Sequence, residues 1–204
     1  MKNRSNDYHE FLLTRRSIRR FKKDPISKEL VNRLIEVACR APSAHNYQPW
    51  RFIVLSTQAE RDRIAHAMGE CLRADRNADG DDPIQVEKDV DRSIRRILGA
   101  PEAIIVCLAL EELDRYPDER RSNAEYLMGV QSVAMAGQNL LLAAHASGLG
   151  AVWVCPPLFA QEVVRDVLDL PATWEPQGMV LLGYAAEEGR DRDRKRVDEV
   201  TLWR

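Results

Sequence analysis

No apolar run in this sequence approaches the ~20 residues that a membrane-crossing helix needs. The opening stretch, MKNRSNDYHEF, is polar and has no apolar signal core, so the expectation is a cytoplasmic protein with no membrane partner. A surplus of one charge is also missing: 30 Lys and Arg stand against 32 Asp and Glu, a net charge of −2. That balance argues against a nucleic-acid partner held by overall charge. The four cysteines, Cys39, Cys71, Cys107 and Cys155, lie far apart without metal-ligand spacing. Cys39 and Cys107 sit in apolar runs and read as small hydrophobes in a reducing compartment. The ten glycines form neither a Walker loop nor a dinucleotide fingerprint. The acids at 79–82 lack the alternation and distal Glu of a calcium loop. Ser17 has no identifiable base partner, which leaves a hydrolase triad unsupported.

What is present suits one globular domain, or one subunit of an intertwined dimer: 204 residues, 45% of them hydrophobic. Residues 7–15 read as a short helix. Ser27 reads as the N-cap of a helix to about Arg40, with Leu30, Leu34, Val37 and Ala38 at helical spacing. Pro42 ends it, and Phe52–Leu55 reads as a buried strand. Residues 58–98 are charged and helical in tone, with Arg61 read as a surface residue, and NADGDDP at 77–83 interrupts them as a loop. A strand at 103–110 precedes a long helix, for which Ser122 and Glu125 form a candidate capping box. That helix is rich in small residues, which permit close approach, and Gly148 reads as its left-handed cap. Its expected length is roughly 35–40 Å at ~1.5 Å per residue. Further expected elements are a strand at 151–154, a helix at 159–169 and a strand at 179–184. Helices and strands do not alternate regularly, which favours α+β over a doubly wound sheet. The charged tail ends in Val197, Val200, Leu202 and Trp203, an apolar set that suggests docking.

Two stretches carry the chemistry. RRSIRRF, from Arg15 to Phe21, places four arginines around a serine and an isoleucine. A guanidinium fork matches phosphate oxygens, and the serine hydroxyl adds a short donor. APSAHNYQPWRFIVL, from Ala41 to Leu55, offers Ser43, His45, Asn46 and Gln48 in a turn, groups able to hydrogen-bond a heterocycle edge. Together they read as two halves of a pocket for a phosphorylated, flat cofactor. Each also has a plain reading, a solvated basic turn and a helix-to-strand loop bonded to its own backbone.

These two stretches, followed by GLGAVWV and LLGY in that order, resemble the nitroreductase family of flavin mononucleotide (FMN) oxidoreductases, and the likeness spans nearly the whole chain. The resemblance implies a single α+β domain over 1–204. It implies a central mixed sheet flanked by helices, an interleaved homodimer with two FMN sites at its interface, and a C-terminal tail embracing the partner. It implies that Arg15, Arg16, Ser17 and Arg19 hold the phosphate and nearby flavin edge. Pro42, Ser43 and Asn46 would reach the flavin from the other subunit. Trp153, Val154 and Cys155 would line the flavin face, with a backbone N–H near the ring nitrogen that accepts hydride. Arg194 and Arg196 would close over the phosphate, and Arg96 is a weaker match for a basic flavin contact. Where many relatives carry an acidic residue and a glycine, this chain has Cys155-Pro156.

The implied activity is ping-pong hydride transfer from a nicotinamide donor to a small organic acceptor, with chemistry supplied by the flavin and binding and electrostatics by the protein. No side chain need act as an obligatory acid or base. The second half also resembles the flavin domain of enzymes that reduce a dehydro-deazaflavin precursor, without the ligase domain often fused to it. Flavin destruction and non-enzymatic flavin binding are the competing readings. The charged segment at 69–93 reads either as a lid that covers the flavin face and selects the acceptor or as a solvated helical hairpin.

Overall fold

The computed structural model describes residues 4–204, with side chains from Asp7 onward. Its centre is β2 (Glu102–Ala109), buried at every position. An unbroken apolar strand needs cover on both faces, and β2 has it. Ile104, Val106 and Leu108 face one core; Ala103, Ile105 and Cys107 face the other. This is the two-residue alternation of a strand read twice. β4 (Trp174–Gly183) repeats it, with Val180 and Leu182 in the first core and Met179 and Leu181 in the second.

The sheet order is β1-β2-β4-β3, where β1 is Trp50–Leu55 and β3 is Gly150–Val154. All three pairings are antiparallel. The parallel component is an isolated bridge between Ser17 and Ala151 on the outer edge of β3. β4 starts five residues before the expected 179. Pro176 and Gly178 read as breakers, but a register shift between Val106 and Cys107 absorbs Gln177 as the extra residue.

The first core lies under α2 (Lys28–Ala38) and α5 (Glu119–Ala146). Ser27 caps α2 by accepting from the Leu30 N–H. α5 has 28 residues, about 42 Å at ~1.5 Å each. By length and composition it could cross a bilayer, but its small-residue face is spent on the sheet, burying Gly129, Val133, Ala136, Gly137, Leu140 and Ala144. Its N-cap is Asp118, which accepts from the Arg121 N–H, and not the expected Ser122. Ser122 lies one turn inside and donates back to the Asp118 carbonyl. Glu125 is buried, with one oxygen accepting from the Asp114 N–H. Gly148 does take the left-handed conformation after the helix, at φ 72°.

The second core lies under α3 (Gln58–Ala78) and α7 (Gln161–Leu168). A Thr57/Glu60 capping box starts α3. α4 (Pro83–Leu98) folds back on α3, where Gly69 lets Val90 and Ile94 approach. The 69–93 segment is therefore mostly two packed helices, with a turn only at their tip. Arg73 pairs with Glu70 and Glu87, and Arg76 with Asp81 and Asp89. The chain begins with α1 (Arg4–Thr14). Two single-turn helices complete it, α6 (Pro156–Phe159) and α8 (Val197–Val200).

Candidate active site

Residues after α1 run along the free edge of β3. Ile18 donates its N–H to the Ala151 carbonyl at 3.0 Å, and the Ile18 side chain is buried. Farther on, the Lys22 N–H reaches the Tyr184 carbonyl at 2.8 Å. The Arg15–Arg20 stretch is thus held at both ends by the sheet. Strand alternation then points the Trp153 N–H at the same edge as Ala151, two residues beyond the bridge.

A cavity of about 780 Å³ opens beside this edge. One wall is Arg15, Ser17 and Arg19. A second is the Arg92, Arg95 and Arg96 face of α4, one helical stripe at i, i+3 and i+4. The third is the 187–194 segment, with Arg190, Arg192 and Arg194. Ten arginines line the cavity, against one carboxylate, Glu187.

Four of the ten are in ion pairs: Arg16 with Asp191, Arg20 with Glu187, Arg92 with Asp89 and Arg95 with Asp91. The other six have no carboxylate within 4.0 Å among the described residues. Burial, and then the charges of Arg19 and Arg92, lower the pKa of Arg96 from its ordinary value. Like charges crowded in a half-buried site disfavour one another, and an anion relieves them. The residues present therefore fit a phosphate-bearing group.

Arg15, Ser17, Arg19, Arg96 and Arg194 all line this cavity, as does Arg16. Arg16 also braces the backbone. Its guanidinium bonds the Arg15 carbonyl at 3.1 Å and pairs with Asp191 at 2.9 Å, and Gly189 packs on its side chain. It ties the 187–191 segment to the sheet edge. Arg196 is not among the lining residues. Its guanidinium pairs with Asp198 at 2.6 Å, beside α8.

Trp153 and Val154 send their side chains to opposite faces of the sheet. The indole lies against Gly137 of α5 and Gly178 of β4; a Cβ at Gly178 would stand 2.2 Å from its ring. Trp153, Val154 and Cys155, expected at the flavin face, are not among the residues that line the arginine cavity. Cys155 is exposed at the start of α6.

Pro42, Ser43 and Asn46 lie apart from the cavity, on the loop into β1. The loop is strained. His45, Asn46 and Gln48 have φ of 50°, 58° and 51°, a region that costs side-chain-bearing residues of order 1–3 kcal/mol each. Three bonds hold it: Gln48 N–H to Ser43 Oγ at 3.0 Å, Ala44 N–H to Ser132 Oγ at 3.3 Å, and Tyr47 Oη to Asp114 Oδ2 at 2.9 Å. Asp114, with desolvation after it, raises the Tyr47 pKa.

Arg20 lies within the four-arginine stretch, and Arg190 and Arg192 lie within a basic run at 190–196 that reads as a local anion site or a solvated face, but sequence reasoning singled out none of them as a site residue. It missed Arg92 and Arg95, for which the helical stripe on α4 was the available signal. A further cavity of about 770 Å³ lies on the other side of Arg15 and Arg16, walled by Leu141 and His145 of α5.

The family model for the nitroreductase family matches residues 12–184. An NADH dehydrogenase of Thermus thermophilus is 32% identical, over 94% of this chain and 93% of that protein. A 5,6-dimethylbenzimidazole synthase of Rhodospirillum rubrum is 34% identical, over 85% and 80%. Among solved structures, a Desulfovibrio desulfuricans protein assigned as a nitroreductase and crystallised with FMN superposes with a TM-score of 0.75 at 26% identity, covering 100% of this chain and 98% of that one. With its arginine-lined sheet edge, its α+β layers and a family match over most of its length, this chain belongs to the nitroreductase family.

Proposed function

We propose that this protein is an FMN-dependent oxidoreductase that takes hydride from a reduced nicotinamide donor and delivers it to a small organic acceptor. One observation carries the reading: arginines from three distant parts of the chain converge on one cavity, most of them without a carboxylate partner among the described residues, beside the stretch that the Ser17–Ala151 bridge ties to β3. The FMN held by the D. desulfuricans relative supports the choice of group. When bound, FMN would supply the two-electron chemistry.

The chain's own residues bind and orient. Arg15, Ser17, Arg19 and Arg194 hold the phosphate with charge-assisted bonds. Arg96 stabilises negative charge on the ring edge, a preorganised electrostatic role. The Trp153 N–H is placed to hydrogen-bond the ring from the open strand edge. Ser43 and Asn46 lie away from this cavity, which fits a homodimer in which each strained loop serves the other subunit's site. No ionisable side chain is required for proton abstraction; donor and acceptor use one ring face in turn.

Purified protein is expected to release FMN on denaturation, identified by chromatography. The bound flavin is expected to bleach anaerobically with NADH or NADPH and to recover with an acceptor. Recovery of FAD, or no flavin uptake, overturns the reading.

The 34% identity to the R. rubrum synthase favours a second reading, in which the flavin itself is consumed. Dimethylbenzimidazole retains the dimethylated ring and two nitrogens of a flavin. Repeated reduction and re-aeration separates the two: a cofactor survives the cycles, whereas a substrate disappears as the benzimidazole accumulates.

A further inference from the structure

The cavity holds more positive charge than FMN neutralises. A phosphate monoester carries about −1.5 to −2 at neutral pH, and a reduced flavin ring adds about one more. Six guanidinium groups without a carboxylate partner among the described residues line the site, so about three remain uncompensated even with reduced FMN in place. Two of the four ion pairs join Arg92 and Arg95 to acids on their own helix. Arg95 and Asp91 are 75% and 65% exposed, a setting in which such a pair is worth little. Arg92 is 63% exposed, although its partner Asp89 is 15% exposed. Both guanidinium groups reach solvent and can turn to a stronger anion. The surplus also has a location. Of the six, Arg190 and Arg192 are the two not assigned to FMN; they line the same cavity as Arg92 and Arg95 of the α4 wall, and none of these four belongs to the Arg15–Arg19 cradle.

We propose that the α4 wall, Arg92 and Arg95 with Arg190 and Arg192 opposite, is a second phosphate subsite that selects a phosphorylated second substrate. This rests on the FMN reading of the same cavity. The shared chemistry is a phosphate monoester dianion, gripped by bidentate guanidinium groups. It has two sources: the 2′-phosphate that distinguishes NADPH from NADH, or a phosphate on the acceptor. The subsite raises the affinity of the anionic substrate and also its rate of encounter, which makes turnover strongly salt-dependent.

The test compares wild type with Arg92→Ala/Arg95→Ala, both changes to a strong helix former on an exposed helix face, and with the charge-keeping Arg92→Lys/Arg95→Lys. If the phosphate belongs to the donor, wild-type kcat/KM is about tenfold or more higher for NADPH than for NADH. The alanine variant then brings that ratio near one, while kcat/KM for NADH moves less than about twofold. If it belongs to the acceptor, the two donors serve equally. Inorganic pyrophosphate then competes with the acceptor in wild type and not in the alanine variant. The lysine variant restores much of either effect. Equal donors without pyrophosphate competition overturn the proposal, as does an alanine variant that keeps the wild-type pattern.

Flavin titration runs alongside, and the alanine variant is expected to bind FMN within about threefold of wild type. A variant that loses FMN instead assigns the α4 arginines to the flavin phosphate and also overturns the second subsite. If the protein takes up no flavin at all, the functional reading fails by itself. Calorimetry with adenosine 2′,5′-bisphosphate on the flavin-free protein still decides the subsite. Binding abolished by the alanine variant upholds it, and no binding, or binding unaffected, overturns it.

Discussion

Arg61 and Arg15 show how differently one residue type is used here. Arg61 is only 6% exposed. Its guanidinium donates to the Leu55 carbonyl at 2.7 Å and to Gln58 at 3.2 Å, and burial lowers its pKa. It locks the start of α3 to the end of β1. On an amphipathic helix an arginine reads as a surface residue, and that expectation fails because the guanidinium turns inward to satisfy the Leu55 carbonyl at the end of β1. Arg61→Ala is expected to cost about 1.5–3 kcal/mol of stability, the range for a hydrogen bond to a charged group, measured by urea unfolding. Arg15 lies in the cavity with no carboxylate partner among the described residues. Arg15→Ala and Arg19→Ala are expected to weaken FMN binding roughly ten- to a hundredfold in flavin titrations. Arg33→Ala, on the exposed face of α2, is expected to stay within about twofold. Equal losses at all three positions would reduce the cluster to a solvated turn. The Arg15–Arg19 cluster was legible because its members are neighbours in sequence. The role of Arg61 was not, because its acceptor is a backbone oxygen that only folding brings close.

Among the elements, β3 depends on two glycines that belong to other elements. Gly137 of α5 and Gly178 of β4 make room for the Trp153 indole from two directions. Gly178→Ala is expected to force the ring out, costing about 1–3 kcal/mol as overpacking does. A shift in tryptophan fluorescence should accompany the loss in a thermal melt. If the Trp153 N–H serves the flavin as proposed, flavin affinity should fall too. An alanine variant with unchanged fluorescence and stability would show that the indole does not need the space. The α3–α4 hairpin makes the opposite case. A charged segment of this length suggested a lid, with a solvated helical hairpin as the alternative. It is a hairpin: α4 packs along α3 and enters the second core at its C-terminal end, with charge spent on ion pairs between the helices and on the arginine wall. From Pro83 to Arg92 is about 13 Å along α4 at ~1.5 Å per residue. Replacing Asn77–Pro83 with a short Gly-Ser turn is therefore expected to leave FMN affinity and acceptor kcat/KM within about twofold. A selective change in acceptor kinetics would restore the lid. Sequence periodicity found both helices and the break between them. It could not say which stripe of α4 faces a cavity.

At the scale of the whole molecule, the tail stands out. Val197, Val200, Leu202 and Trp203 are 73%, 65%, 73% and 87% exposed on the single chain. Such a set at a terminus wants cover, and the proposed homodimer provides it. Truncation after Arg196 is expected to loosen both dimer and flavin, read by sedimentation velocity and flavin fluorescence. A truncated protein that stays dimeric with unchanged flavin affinity would remove the tail from the site.

The sequence by itself determined the main helices and strands, some of their ends and the family, but not α6 or α8. Caps, breakers and apolar periods act over a few residues, and the family's motifs occur here in order. The tertiary structure alone decided where the charge collects. Residues 15–20, 92–96 and 187–194 become neighbours only because the Ser17–Ala151 bridge pins the first to the sheet edge, while Arg16 holds the last against it through Asp191. Convergence over such separations leaves no local trace, since each arginine, taken in its own segment, is indistinguishable from a solvated one.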